Sequence, residues 1–301
     1  MPTHDITQFT PRTGRVIKEN GETINVGDGY PIAYSDVDTS LITKVNGNDG
    51  AIHSMDYKDA IGLRKIPGHS LFRGFGRRSA LSTVSTGDDL WNGTATTIPF
   101  PDQSVGEQMT IVSTAAADSS AGANIRTVDI HYIDANGAEQ EEIITLNGVT
   151  PVNTVATNIR HVQFIHANTV GTFGGAAAGT ISLYKTGSAS TIYAQIEIGT
   201  NVSVCSRRMV PAGKSFYLNS ISVSGTSSKP LIIALRATCD YIGDLTPGVF
   251  IFNEIYDVQD SMNALSINPP RYIPALAFLK GTAYSTQVGG AATISYGGWI
   301  E

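Results

Sequence analysis

Cysteine is nearly absent from this chain: Cys205 and Cys239 are the two among 301 residues. Two cysteines cannot supply a disulfide framework. Each sits in or just before a strand-like run, which predicts buried thiols rather than a bridge. Charge is sparse too, at 15% Asp, Glu, Lys and Arg, and this excludes the Glu-, Lys- and Leu-rich profile of a helical protein. Long apolar runs are missing; Leu231 to Leu235 is typical and far too short to span a bilayer. A short helix is open around Ser54 to Leu63, but from Ile66 onward no 11-residue window has a helical period, and there is no internal repeat or heptad pattern. The opening Met1-Pro2-Thr3-His4-Asp5 lacks the charged-then-apolar order of a secretory signal, so cytoplasmic synthesis is expected. The net charge of −6 argues against nucleic acid as the main partner.

The constellations that carry chemistry are also missing. There is no Gly-x-Ser-x-Gly, no Cys-x-x-Cys and no Gly-rich stretch followed by Lys-Ser/Thr; Gly171 to Gly175 has no helix behind it to hold a phosphate. Among the six histidines, His161 and His166 are an odd number apart, so on one strand they face opposite ways and cannot share a metal. His131 is expected beside Glu141 and Glu142 as a surface pair across a hairpin. Asp134-Ala135-Asn136-Gly137 mimics the start of a calcium loop without its later ligands, which predicts a turn. Asp88 and Asp89 are adjacent, as are Glu141 and Glu142. Strand neighbours face apart, the wrong geometry for a glycosidase pair. No catalytic residue, metal or cofactor is expected.

What is abundant is the vocabulary of strands and tight turns: 31 Gly, with many Thr, Ser, Ala and Val. From Ile125 to Leu146 two period-two runs flank Ala135-Asn136-Gly137. A three-residue loop there pairs Asp134 with Ala138 and Val128 with Ile144, which brings the apolar faces together; a two-residue loop sets them on opposite faces. Further strand candidates follow at short spacing up to Ile300. The fold class expected is all-β: an antiparallel, jelly-roll-like β-sandwich over residues 66–301, open to division into two sub-sandwiches near 200–210. Residues 1–65, with one hairpin signal at Glu19-Asn20-Gly21-Glu22 but few apolar side chains, read as an extended arm, either disordered or ordered on something else.

Charge is distributed unevenly. Residues 1–80 hold 10 Lys+Arg against 9 Asp+Glu, whereas residues 81–301 hold 10 against 17. No acid lies between Asp59 and Asp88. Within that gap Phe72, Arg73, Phe75, Arg77 and Arg78 form a candidate interface, Arg and aromatics being enriched at binding hot spots. The competing reading makes the segment a strand whose Phe residues fill this domain's own core.

Six segments resemble those of tailed-bacteriophage virion proteins: Gly74-Phe75-Gly76-Arg77, Asp89-Leu90-Trp91, Ser113 to Ala123, Tyr132 to Gly137, Leu146 to Val152, and Val210-Pro211-Ala212-Gly213-Lys214. Thr13 to Asn25 is similar to the start of some head-fibre and tail-accessory proteins. The resemblance implies a non-enzymatic virion subunit, such as a capsid decoration, head-fibre or tail protein. Its expected partners are copies of itself, a trimer being favoured, and other virion proteins, with neither nucleic acid nor membrane. A receptor- or glycan-binding module using Trp91, Tyr184, Tyr193 or Trp299 is the alternative. A tailspike-type enzyme is weaker, since neither β-helix repeats nor a carboxylate pair is present.

The arm generates the first prediction. Limited proteolysis of the unassembled protein removes residues 1–64 first and leaves a resistant core beginning near Ile66; equal protection of both parts refutes it.

Overall fold

A computed structural model describes residues 9–10, 15–17, 23–25, 41–45, 52–226, 230–238, 252–258, 262–287 and 289–301. The chain divides into two compact units, Met1–Leu71 and Phe72–Glu301. In the first unit β1 (Phe9–Thr10), β2 (Arg15–Ile17) and β3 (Thr23–Asn25) form one small sheet. There β4 (Leu41–Val45) and β5 (Ile52–Asp56) form a second, followed by the short helix α1 (Tyr57–Gly62). The arm expected over residues 1–65 falls largely outside the described residues.

The second unit begins within β6 (Ser70–Arg78), and β7 (Asp88–Asp89) comes next. Seven strands follow: β8 (Met109–Ser113), β9 (Ile125–Asp134), β10 (Glu139–Thr145), β11 (Val152–Asn153), β12 (Ile159–Val170), β13 (Ile181–Lys185) and β14 (Ser188–Ile196). The last seven are β15 (Arg208–Met209), β16 (Phe216–Thr226), β17 (Leu231–Thr238), β18 (Phe252–Val258), β19 (Met262–Ile273), β20 (Phe278–Ser285) and β21 (Ala291–Ile300). The ladders whose registers are resolved are antiparallel, so the all-β, antiparallel expectation holds.

Two cores organise these strands. Sheet β10-β9-β12 and sheet β11-β8-β13-β14 close over Ile111, Val128, Ile130, Ile144, Ile165 and Leu183. Sheet β15-β20-β17-β18, with β7 on β20, and sheet β19-β16-β21-β6 close over Phe72, Leu90, Phe216, Leu235, Ile294 and Tyr296. Burying one such side chain contributes about 1.5–3 kcal/mol. The second core therefore does not simply begin near residues 200–210. It recruits Phe72, Leu81 and Leu90 from ahead of the first core, so the block of residues 107–203 is inserted into it.

The central hairpin has the register its parity requires. Val128 faces Ile144, Asp134 N donates to Ala138 O at 2.9 Å, and Gly137 N donates to Asp134 O at 2.9 Å. The Asp134 carboxylate accepts from the Asn136 and Ala138 amides, both at 2.9 Å. Gly137 takes φ +83°, which a side chain would strain, and a Cβ there would also meet Leu276 at 2.6 Å. On the edge strand β19 the register jumps from Arg271 opposite Leu218 to Ser266 opposite Ser220. The intervening bulge contains Pro269 and Pro270, residues that cannot donate to a ladder.

The cores meet at a small cluster of Ile133, Met209 and Phe278. His161 is buried against Phe278, with ring centroids 5.0 Å apart, and neither ring nitrogen has a hydrogen-bond partner. Burial, then the charges of Arg207, Arg208 and Arg160, hold its pKa well below the ordinary 6.5. Above pH 6.5 His161 is neutral in both folded and unfolded chains; below it only the unfolded chain takes up the proton. Wild-type stability should therefore fall relative to His161→Leu as the pH drops below 6.5, by up to about 1.4 kcal/mol per pH unit. Urea unfolding of both proteins between pH 7.5 and 5 checks this, and parallel pH profiles refute it.

Candidate functional site

Alternation along β6 sorts the candidate interface into two faces. Phe72, Gly74 and Gly76 point inward while Arg73, Phe75 and Arg77 point outward. Phe72 is a core residue, with its ring 4.8 Å from that of Phe216; packing this chain's own interior removes it from the interface set. The glycines let β6 settle closely on its own domain. A Cβ on Gly74 would lie 2.1 Å from the Tyr296 ring, and one on Gly76 would lie 2.1 Å from Leu90 O.

Arg78 is also drawn inward. Its Nε lies 3.2 Å from Asp88 Oδ2 and donates to Ala80 O at 3.2 Å. Nη1 reaches Gly93 O at 3.2 Å and Ala95 O at 2.7 Å. Asp88 further accepts from Ser82 N and Oγ at 2.8 and 2.6 Å. Its neighbour Asp89 faces the other way, to Lys280 Nζ at 2.7 Å and Ile98 N at 2.7 Å. The strand geometry that rules out a paired-carboxylate site thus turns each acid into a separate tether for the 79–98 loop.

Arg73, Phe75 and Arg77 remain exposed on the outer face of β6, Phe75 at 45%. Phe75 and Arg77 line a groove of about 400 Å³ together with Arg78, Trp91, Thr94 and Glu197. The aromatics named for glycan binding are placed differently. Trp91, Tyr184, Tyr193 and Trp299 are all buried; Trp91 Nε1 donates to Ala95 O at 2.8 Å and Tyr193 Oη to Glu107 Oε2 at 2.5 Å. None presents an open ring face to a sugar.

A second arrangement was missed by sequence reasoning. On the outer face of sheet β10-β9-β12, Asp129, His131 and His166 bring one ligand atom each to within 4.8 Å of one another. Asp129 and His131 share a face because they are two apart on β9. His166 joins them because β12 pairs it with Asp129. His131 Nε2 lies 3.4 Å from Asp129 Oδ2, and Nδ1 lies 3.8 Å from Glu141 Oε2, the cross-hairpin pair the sequence predicts. Parity correctly separates His161 from His166; the histidine that His166 meets is on another strand. The Asp-x-His spacing was the readable half of the signal.

Cys205 is a buried free thiol whose pKa burial raises; Cys239 lies outside the described residues. No helix among the described residues is long and apolar enough to cross a membrane.

No protein-family model matches the chain, and no curated protein matches it. Among solved structures the chain is similar to one titled as the structure of infectious bursal disease virus Gx strain, at 12% identity over 77% of this chain and 76% of that one, with a TM-score of 0.15. It is also similar to an infectious bursal disease virus VP2 subviral particle, at 10% identity over 80% and 76%, with a TM-score of 0.17. Overlap at this level carries no statement about fold or role.

The two arginines at the end of β6 should respond differently to truncation. Arg78→Ala leaves buried Asp88 without its cation and should lower unfolding stability by about 2–4 kcal/mol. Arg77→Ala, on the solvent face, should stay within about 0.5 kcal/mol of wild type. Denaturant titration distinguishes them, and equal losses contradict the assignment.

Proposed function

We propose that this protein is a non-enzymatic structural subunit of a tailed-phage virion, an oligomeric decoration, fibre or tail-accessory protein built on jelly-roll-like sandwiches. One observation carries the reading: the six segments behind the resemblance contact one another in pairs and serve the fold. Gly76 packs on Leu90 O. Gly148 N donates to Asp118 O at 2.8 Å, joining the 113–123 and 146–152 segments. Ala212 N donates to Gly137 O at 2.7 Å, joining the 210–214 turn to the hairpin turn. Residues that elsewhere could carry chemistry are here consumed in holding loops.

Assembly would use the outer face of β6 against an acidic surface on another copy. Residues 81–301 carry 17 acids against 10 cations. Of these, Asp88, Asp89, Asp118, Asp129 and Asp134 are buried, as are Arg207 and Lys280, and acids stay in excess once they are set aside. A trimer is the favoured order, anchored through residues 1–65. The glycan-binding alternative loses its aromatics to the interior.

The test is the double charge reversal Arg73→Glu/Arg77→Glu, which spares the internal Arg78. The expected result is a folded protein whose self-association or incorporation weakens by about 2–5 kcal/mol, read by sedimentation and by recovery in assembled particles. Undiminished assembly of that variant would rule out this face.

A further inference from the structure

We infer that Asp129, His131 and His166 form a binding site for a divalent transition-metal ion of the zinc class, bracing β9 against β12. Two imidazoles and one carboxylate are a donor set suited to zinc and its first-row neighbours, whereas magnesium and calcium take oxygen donors. The spacing fits such an ion. Two imidazoles bound at about 2 Å to one tetrahedral ion have ring centroids about 5 Å apart, and those of His131 and His166 are 5.3 Å apart. The ligand atoms, all within 4.8 Å of one another, need converge by only about an ångström to reach bonding positions.

Asp129 and His166 also have unused donor capacity. Asp129 is 9% exposed, and its Oδ1 has no hydrogen-bond partner. His166 Nδ1 is likewise buried and without a partner. A carboxylate oxygen and an imidazole nitrogen withdrawn from water without compensation are costly, and an ion held between the strands would engage both residues. Around His131 the supporting groups are in place. Glu141 Oε2 stands 3.8 Å from Nδ1 while Nε2 faces Asp129, so a small approach of this exposed side chain would let its carboxylate orient a metal-bound imidazole. The Phe164 ring stacks on His131 at 4.2 Å, restricting its rotation, and carries the Arg208 guanidinium 5.3 Å from its own centroid.

The ladder beneath the cluster is irregular, with register shifts between Val162 and Phe164 and between Ala167 and Thr169. Where backbone pairing is interrupted, a metal bridge between the two strands has the most to add.

The experiment uses the full-length, untagged chain, freed of metal by chelation. Calorimetric titration with Zn²⁺ should give one site of micromolar affinity or tighter, and saturation should raise the thermal midpoint by about 5 °C or more. Mg²⁺ should give neither effect. Asp129→Asn and His166→Ala should each weaken Zn²⁺ binding at least tenfold. Glu141→Gln, an exposed change that leaves the fold intact, should weaken it about tenfold. Co²⁺ bound to the wild type should show the visible bands of a low-coordinate nitrogen–oxygen site. A wild type that binds no Zn²⁺, a midpoint unmoved by saturating metal, or equal affinity in the folded variants would each overturn the site.

Discussion

A buried guanidinium sits where the two cores meet, and the groups around it offset part of the cost of its burial. Arg207 is 1% exposed. Nη1 donates to Ile98 O and Pro99 O, both at 2.9 Å, and the planar group lies 4.9 Å from the Phe100 ring centroid and 5.5 Å from that of Phe278. Burial of an isolated cation would cost many kcal/mol. Carbonyl acceptors and aromatic faces offset part of that cost. The same charge is one reason His161 stays neutral beside it. Gln163 completes the joint: its amide donates to Met209 O at 2.7 Å and accepts from Met209 N at 3.0 Å, so one side chain of the inserted block clasps the backbone of the outer one.

Buried carboxylates do for the loops what Arg207 does for the joint. Asp118 accepts from Ser113 Oγ at 2.6 Å, Gly179 N at 2.9 Å, Ala178 N at 3.0 Å and Ile125 N at 3.3 Å. One side chain thereby fixes the 113–123 loop, the start of β9 and the approach to β13. Asp88, Asp89 and Asp134 act alike at other turns. Acidic residues in a chain with few charges are used here as acceptors for orphaned amides.

How far this was legible depends on how local each signal was. The hairpin register was readable because Val128 and Ile144 are joined by a loop whose parity has one answer. The opposed directions of Asp88 and Asp89 follow from the same period. Phe72 was harder: its inward companions on β6 are Gly74 and Gly76, so the apolar half of the alternation is written in glycine. Parity along that strand also put Arg78 with Phe72, away from Arg73 and Arg77, a distinction that composition and the lack of nearby acids concealed. His166 could not be matched to His131 at all, because β12 reaches β9 through bulges that break the count. The jelly-roll-like reading treated the chain as consecutive, whereas β6 and β7 close a core whose other strands lie more than a hundred residues downstream.

That insertion sets an order on synthesis. The inner block holds all its sheet partners between residues 107 and 203 and can close as soon as they leave the ribosome. Phe72 and Leu90 must wait for β16, β20 and β21, the last of which ends at Ile300. Contacts of such long sequence separation form slowly and leave apolar surface uncovered meanwhile. While it waits, the nascent chain carries a finished inner block between two sticky, unmatched halves. A stall over the final hundred codons therefore leaves Phe72, Leu81 and Leu90 without the strands that cover them.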